Sequence, residues 1–388
     1  MTRFEPTDPL ALDDLLSEEE RALREVVRRF VAERALPGLA ERFEAGTFDR
    51  DLATEMGSLG LLGMHLEGYG CAGASAVAYG LACAELEAGD SGLRSFCSVQ
   101  GSLAMTAIHR FGDEDQRQWW LPAMARGEAI GCFALSEPEA GSDPSAMRTR
   151  ARRDGADWIL HGTKLWITNG EIADVAVVWA HTDEGVRGFL VPSDAPGLTT
   201  RPVPPKLSLR ASVTSELALD EVRVPDAARL PGAEGLRAPL SCLTEARYGI
   251  VWGVTGAARA CAEAARAHAA ERVQFGRPIA SFQLTQRKLV DMSLAVAQGQ
   301  LLALHLGRHK DAQGLAPEHV SAGKLENCRR ALDVARTARG VLGASGITLE
   351  HPVMRHLVNL ESVVTYEGTE EVHALALGRA LTGHNAFG

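Results

Sequence analysis

The segment Phe133–Asp143, FALSEPEAGSD, marks the point at which the character of the chain changes. Residues 1–130 before it are rich in Leu, Ala and Met with few β-branched runs, a texture typical of helices. Short apolar strands follow it, such as Asp174–Ala180 (DVAVVWA), and so do alternating segments such as Glu216–Val224. Long helical patterns return beyond Pro239. The sequence therefore predicts three domains: a helical one at 1–130, an antiparallel β-barrel or sandwich at 131–235, and a helical bundle at 236–388.

Two helical segments carry specific signals. The first helix is predicted to begin after Ser17, because Glu20 three residues later completes a capping box. Its apolar residues form one stripe that we expect to pack on a core: Leu23, Val26, Val27, Phe30 and Val31. The stretch Phe282–Leu306 is apolar almost all round, which suits a helix buried between other helices or between subunits.

Composition excludes several classes of protein. The 388 residues are 46% hydrophobic and 23% charged, which indicates a globular chain of two or three domains. A net charge of -10 argues against nucleic acid or a membrane surface as a partner. No stretch approaches ~18 uninterrupted apolar residues, and the acidic N-terminus resembles neither a signal nor a transit peptide. We therefore expect a cytoplasmic protein whose seven scattered cysteines are reduced.

Two short motifs have simpler explanations than the ones they suggest. Gly68–Gly73 has the pattern GxGxxG of dinucleotide-binding folds. No β-branched strand precedes it, however, and the sequence after Asp90 has a helical pattern where a second strand is required, so a surface loop is the better interpretation. His305 and His309 have metal-ligand spacing on a helix, yet no Glu or Cys completes a set. We expect no metal site.

Four segments hold candidate functional groups. The small residues of Phe133–Asp143 let backbone amides approach a ligand closely. Lys164–Asn169 places an indole beside a hydroxyl at a strand end. Arg272–Pro278, with Gln283 after it, precedes a glycine turn at Val341–Gly346. Thr365–Thr369 carries a lone carboxylate, Glu367, whose burial would raise its pKa towards that of a general base.

In this order and at these distances, the segments resemble the acyl-CoA dehydrogenase family from about residue 15 to the C-terminus. Such a resemblance implies a helical domain, a β-barrel domain, a C-terminal four-helix bundle, non-covalent FAD, and a homotetramer in which neighbouring subunits complete each flavin site. Within the family, Glu85–Gln100 (ELEAGDSGLRSFCSVQ), Glu245–Gly249 and Asn359–Thr369 resemble glutaryl-CoA dehydrogenase.

The resemblance also assigns a flavin site. Trp166 would cover one face of the isoalloxazine, while Arg272 and Gln283 would bind the cofactor of a neighbouring subunit. The cofactor-binding residues that it implies are Phe133, Leu135, Ser136, Gly141, Ser142, Trp166, Ile167, Thr168, Arg272, Phe275, Gln283, Gly343 and Thr369.

A substrate site follows from the same resemblance. Glu367 would be the base that removes the α-proton of an acyl thioester, and Arg94 would bind the distal carboxylate of glutaryl-CoA. The residues implied to bind substrate are Arg94, Ser95, Ser98, Glu87, Tyr366, Ser142, Arg247 and Gly368. An arginine in a hydrocarbon pocket is costly unless a carboxylate meets it. The alternative is a surface ion pair between Arg94 and Asp90, four residues earlier.

The implied reaction is oxidation and decarboxylation of glutaryl-CoA to crotonyl-CoA and CO2, with electrons passing to electron-transferring flavoprotein. Three alternatives remain. The chain could be a dehydrogenase for another short-chain or carrier-bound acyl group, an acyl-CoA oxidase that reduces O2, or a binding module, although the intact Glu367 argues against the last. The sequence does not separate a decarboxylating enzyme from one that stops at glutaconyl-CoA.

Overall fold

A computed structural model describes residues 4–203 and 205–387, and its N-terminal part is helical. The predicted capping box is formed: the Glu20 amide donates to the Ser17 hydroxyl at 3.2 Å, and the Ser17 amide donates to the Glu20 carboxylate at 2.9 Å. Val27 and Phe30 are buried as expected, whereas Val26 is 36% exposed because it lies beside the stripe. The helices of this part are α1 (Glu18–Phe30), α2 (Leu39–Ala45), α3 (Asp51–Ser58), α4 (Ala76–Gly89), α5 (Ser91–Ser98), α6 (Thr106–Phe111) and α7 (Glu114–Ala125).

A seven-stranded sheet forms the middle of the chain. Its strands are β1 (Gly131–Ala134), β2 (Arg150–Asp154), β3 (Asp157–Thr168), β4 (Val175–Thr182), β5 (Gly185–Pro192), β6 (Leu198–Pro202) and β7 (Thr214–Pro225). Most pairs are antiparallel, as predicted, but β1 and β2 run parallel to β4 and share one of its edges, while β5 takes the other. Alternation within a strand does not reveal its partner, so the parallel pairs could not be predicted from the pattern of residues.

The C-terminal part is a bundle of helices. Its elements are α8 (Arg237–Glu271), the hairpin β8 (Val273–Gln274) and β9 (Arg277–Pro278), α9 (Gln283–Gln313), α10 (Pro317–Leu342), α11 (Pro352–Val363) and α12 (Glu370–Thr382). By length and composition alone α9 could cross a membrane, a test that core helices also pass, and here α9 packs on α8 and α10. One of its faces remains apolar and exposed within the single chain, at Leu284, Val290, Leu294 and Leu301.

Close contact between α4 and α8 joins the N-terminal and C-terminal helices. A Cβ on Gly256 would lie 1.8 Å from the Ala84 carbonyl oxygen, and one on Gly80 would lie 2.3 Å from the Trp252 ring. Glycine at these positions lets the two helix backbones approach each other. Glu87 on α4 and Gly253 on α8 also meet at this contact, next to the candidate active site.

The structure agrees with the loop interpretation of the GxGxxG motif. Gly68–Gly73 is a loop in which Gly68, Gly70 and Gly73 have positive φ. All seven cysteines are free thiols. Across residues 4–203 and 205–387, no group of three His, Cys, Asp or Glu side chains is arranged to hold a metal ion.

Candidate active site

A sharp corner between α4 and α5 turns Arg94 towards the protein interior. Asp90 ends α4 in an extended conformation and caps α5, since its carboxylate accepts from the Gly92 amide at 2.7 Å. Asp90 does not pair with the Arg94 side chain. Its carboxylate instead accepts hydrogen bonds from Arg355 at 2.5 Å and from Asn359 at 2.9 Å, both on α11. The alternative prediction, a surface ion pair between Arg94 and Asp90, is therefore wrong.

Arg94 is completely buried and bound on two sides. Its Nε donates to Glu87 Oε2 at 2.7 Å, and its Nη2 donates to the Tyr366 hydroxyl. Ser95 also interacts with that hydroxyl. The exposed fraction is 0% for both Arg94 and Glu87, and Ser91 donates to the other Glu87 oxygen at 2.9 Å. Burial opposes its charge, but Tyr366, Glu87 and Glu367 raise the pKa of Arg94, so the guanidinium stays charged.

The turn between α11 and α12 presents Glu367 beside this arginine. Glu367 has a left-handed backbone with φ 54°, and Gly368 follows with φ 99°. Arg247 on α8 donates through Nε to the Glu367 carbonyl at 2.6 Å. Thr369 caps α12, since its hydroxyl accepts from the Val372 amide at 3.3 Å. The turn is thus held at its middle by α8 and at its end by the next helix.

Three buried polar atoms around this cluster have no hydrogen-bond partner within the described part of the chain: Arg94 Nη1, Ser98 Oγ and Glu367 Oε2. Buried polar groups are normally bonded, so a site with free donors and a free acceptor is suited to a polar ligand. Burial raises the pKa of Glu367, although Arg94, Lys324 and Arg247 oppose the rise. The site therefore combines a cation suited to a carboxylate with a carboxylate whose raised pKa suits it to accept a proton.

A second group of predicted residues lies where β3 ends. The register of β3 against β7 shifts between Lys164 and Ile167, and this bulge contains Trp166, with φ 65° and 60% of its surface exposed. Thr168 beside it is half-buried. The Ile167 side chain packs inside the sheet and that of Phe133 packs in the main core, so neither side chain lines a surface.

A buried ion pair anchors the FALSEPEAGSD segment to β3. Lys164 Nζ donates to Glu137 Oε1 at 2.8 Å and to the Leu135 carbonyl at 3.0 Å. The two Glu137 oxygens also accept from the Arg148 and Thr149 amides at 2.6 and 3.0 Å. The segment is therefore fixed at Leu135 and Glu137. Ser136 between them is half-buried, with its carbonyl bonded to the Leu165 amide at 3.0 Å, and beyond Glu137 the residues Gly141 and Ser142 lie exposed.

The chain between β6 and β7 connects the Trp166 end of the sheet to the Arg94 cluster. Thr168 pairs with Thr214 at the start of β7. Just before it, the Leu209 amide donates to Asn359 on α11 at 2.7 Å. A Cβ on Gly92, two residues from Arg94, would lie 2.9 Å from the Ala211 carbonyl oxygen. Segment 205–213 thus lies between the two groups of predicted residues.

The remaining predicted residues lie elsewhere in the chain. Arg272 and Phe275 are exposed at the hairpin after α8, Gln283 is exposed at the start of α9, and Gly343 is exposed where α10 ends. Arg247 and Arg272 are 25 positions apart along α8 and its C-terminal end, which at about 1.5 Å per residue is roughly 37 Å. Phe275 is 93% exposed. Within one chain, this group does not join the cluster around Glu367.

The residues at the end of β3 fit a flavin. An exposed indole presents a flat apolar face that a planar ring would cover, and the Thr168 hydroxyl beside it supplies a polar contact. A Cβ on Gly141 would have no atom within 4 Å, so the loop is open on that side. Trp166, Phe275 and Glu367, three predicted site residues, all have left-handed backbones, a conformation that tends to occur at functional sites.

Sequence reasoning missed two residues of the cluster. Lys324 on α10 is 1% exposed and donates to the carbonyls of Tyr366 and Gly368, both at 2.6 Å. Its place on the buried face of α10, one turn from Val320 and from Cys328, was the signal available. Gly253 is the other, because a Cβ there would lie 2.0 Å from Glu87 Oε2.

Comparison with known proteins agrees with this arrangement. Residues 17–128, 132–222 and 233–382 match the N-terminal, middle and C-terminal domains of acyl-CoA dehydrogenase. A glutaryl-CoA dehydrogenase from Mycobacterium smegmatis is 64% identical, with a TM-score of 0.98 and full coverage of both chains. Another glutaryl-CoA dehydrogenase of that organism, in complex with FADH2, is 58% identical with the same TM-score and coverage. The short-chain specific acyl-CoA dehydrogenase of Bos taurus is 35% identical over 93% of this chain and 90% of its own length.

These matches cover nearly all of the helical, sheet and bundle regions described above. The neighbour in complex with FADH2 supports FAD as the cofactor. The chain belongs to the acyl-CoA dehydrogenase family, and it is an FAD-dependent oxidoreductase that acts on CH–CH bonds.

Proposed function

We propose that this enzyme oxidises glutaryl-CoA and decarboxylates the product to crotonyl-CoA. The observation that carries the proposal is Arg94, a completely buried guanidinium whose Nη1 has no partner among the described residues and which lies beside Glu367. A substrate carboxylate would complete its hydrogen bonds and balance its charge. A monocarboxylic acyl chain would leave Nη1 unbonded.

Glu367 is the proposed base for the first step. Its carboxylate takes the α-proton, and its raised pKa suits it to hold that proton. FAD, when bound, accepts the hydride that leaves the β-carbon. The proposed contacts for the cofactor are those at the end of β3 and along the FALSEPEAGSD segment, namely Leu135, Ser136, Gly141, Ser142, Trp166 and Thr168, with Thr369 near the ring.

The second step is the loss of CO2 from glutaconyl-CoA. The bond between the γ-carbon and the carboxylate breaks, its electron pair is delocalised into the thioester, and protonated Glu367 returns a proton to the γ-carbon. Glu87 and Tyr366 bind Arg94 from two sides and so keep the guanidinium in place while the substrate carboxylate is lost as CO2. The residues proposed around the substrate are Arg94, Ser95, Ser98, Glu87, Tyr366, Ser142, Arg247 and Gly368.

Assembly and the electron acceptor are part of the proposal. Arg272, Phe275, Gln283 and Gly343 are proposed to bind the flavin of a neighbouring subunit in a homotetramer. Their distance from Glu367 along α8 and the exposed apolar face of α9 support this. Electron-transferring flavoprotein is the proposed acceptor, and the cytoplasm is the proposed location.

The test is the fate of glutaryl-CoA under anaerobic conditions. We expect the purified, FAD-loaded enzyme to lose its oxidised flavin absorption on addition of glutaryl-CoA, and crotonyl-CoA and CO2 to appear in equal amounts. Release of glutaconyl-CoA without CO2 would contradict the decarboxylation step alone. Faster flavin reduction by butyryl-CoA than by glutaryl-CoA would make the chain a short-chain dehydrogenase, and rapid peroxide formation in air would make it an oxidase.

A further inference from the structure

The Glu367 turn has a backbone that its own sequence does not favour. A glutamate in the left-handed region is less stable than one with a helical or extended backbone, because its Cβ approaches the following carbonyl oxygen. Gly368 is confined as well, because a Cβ on it would lie 2.8 Å from His373 Nε2 and its φ is 99°. Contacts from outside the turn must therefore stabilise this conformation.

Those contacts come from two cations on different helices, the buried Lys324 and the half-buried Arg247. Lys324 Nζ on α10 donates to the Tyr366 and Gly368 carbonyls at 2.6 Å each, and Arg247 Nε on α8 donates to the Glu367 carbonyl at 2.6 Å. Three successive carbonyls are therefore bonded to charged donors. Hydrogen bonds from charged donors are shorter and stronger than neutral ones.

Lys324 has no carboxylate partner within the described part of the chain that would explain its burial. The ammonium lies 5.8 Å from the centre of the Tyr366 ring, and the charge of Glu367 acts on it. Burial lowers its pKa to about 8, so it remains mostly protonated at neutral pH. An apolar side chain would fill the same place at a lower desolvation cost. The role of the lysine therefore lies in its hydrogen bonds to the two carbonyls.

We propose that Lys324 is a positioning residue that holds the Glu367 turn in the left-handed conformation from which the carboxylate reaches the α-proton. The inference rests on the proposed role of Glu367 as the base. Lys324 touches neither the substrate nor the flavin in this account. It acts through the Tyr366 and Gly368 carbonyls, on either side of the catalytic residue.

Lys324→Met tests the proposal, since methionine has a similar shape and neither charge nor donor. We expect flavin reduction by glutaryl-CoA to slow by at least about 30-fold per bound flavin, because a misplacement of about 1 Å costs on the order of 100-fold. The Kd for the acyl-CoA should change less than about threefold. The kinetic isotope effect with α-deuterated substrate should be as large as in wild type or larger.

Lys310→Met is the matched control, because Lys310 is a partly buried lysine on α9 bonded to Glu245 at 2.6 Å, away from the turn. It should lower thermal stability without changing the rate per bound flavin. A Lys324→Met enzyme that behaves in the same way would show a structural role only and would overturn the proposal. If Lys324→Met does not retain FAD, Lys324→Gln carries the same test with one donor group kept.

Combination with Glu367→Gln separates this inference from the function on which it rests. If Lys324 acts only through Glu367, the double variant should reduce flavin as slowly as Glu367→Gln alone. Near-normal reduction by Glu367→Gln would contradict the proposed base itself. An inactive Glu367→Gln together with an unimpaired Lys324→Met would leave the base in place and overturn the role of Lys324.

Discussion

The charge on Arg94 should decide which acyl group the enzyme prefers. Replacing Arg94 alone would strand Glu87, which is completely buried and receives Arg94 Nε at 2.7 Å. An unpaired buried carboxylate destabilises a protein by about 3–5 kcal/mol, which would obscure any effect on substrate choice. The informative comparison is therefore between Glu87→Gln and the double variant Glu87→Gln/Arg94→Met, which differ only at the arginine.

The expected magnitude follows from the bond that Nη1 is available to make. Loss of a buried, charge-assisted pair costs about 2–5 kcal/mol, or roughly 30-fold to several thousand-fold in kcat/KM for glutaryl-CoA. Butyryl-CoA leaves Arg94 unpaired, so its kcat/KM should change little or rise. The assay measures kcat/KM for both substrates with each variant, and the ratio cancels differences in folding and flavin content. If the ratio of kcat/KM for glutaryl-CoA to kcat/KM for butyryl-CoA is the same in the two variants, Arg94 does not bind the substrate carboxylate.

Other predictions follow from the same site. Trp166→Ala should weaken FAD binding or shift the flavin spectrum, measured by FAD titration, and an unchanged affinity and spectrum would count against the contact. Gly253→Ala should displace Glu87 and lower the ratio of glutaryl-CoA to butyryl-CoA efficiency, whereas Gly378→Ala, where a Cβ meets no atom within 4 Å, should not. Because burial raises the pKa of Glu367, the base is protonated and inactive at low pH. Stopped-flow flavin reduction should therefore increase with pH through a midpoint above the 4.5 of an ordinary glutamate, and a flat profile would contradict this. Loss of FAD should accompany dissociation of the oligomer on dilution, and light scattering that finds a fully FAD-loaded monomer would rule out the shared site.

Local signals in the sequence predicted local structure well. The capping box at Ser17 depends on two residues three positions apart, and the structure forms it. The change from helices to strands at Phe133 is likewise visible in composition. The parallel pairing of β1 with β4 was not visible, because Gly131 pairs with Val175, 44 positions along the chain, and no periodicity encodes such a partner.

The candidate site shows the same division. Arg94 and Asp90 have the spacing of a helical ion pair, yet their actual partners, Glu87 and Arg355, come from α4 and α11. Lys324 belongs to no motif, and only the burial pattern of α10 marks it. Left-handed backbones such as that of Glu367 are also invisible in sequence, because they are imposed by contacts between distant elements.

The origin of those contacts makes formation of the catalytic turn a late event in folding. Arg247 and Glu367 are 120 positions apart, and Arg94 and Tyr366 are 272 apart. During synthesis, Glu367 becomes available only when about the last two dozen residues of the chain leave the ribosome. Even then, α8 and α10 must dock before their side chains can hold the turn. Contacts of such high sequence separation form slowly. Recovery of activity during refolding should therefore lag behind recovery of helical signal, and no fragment of this chain should be able to remove a proton from an acyl thioester.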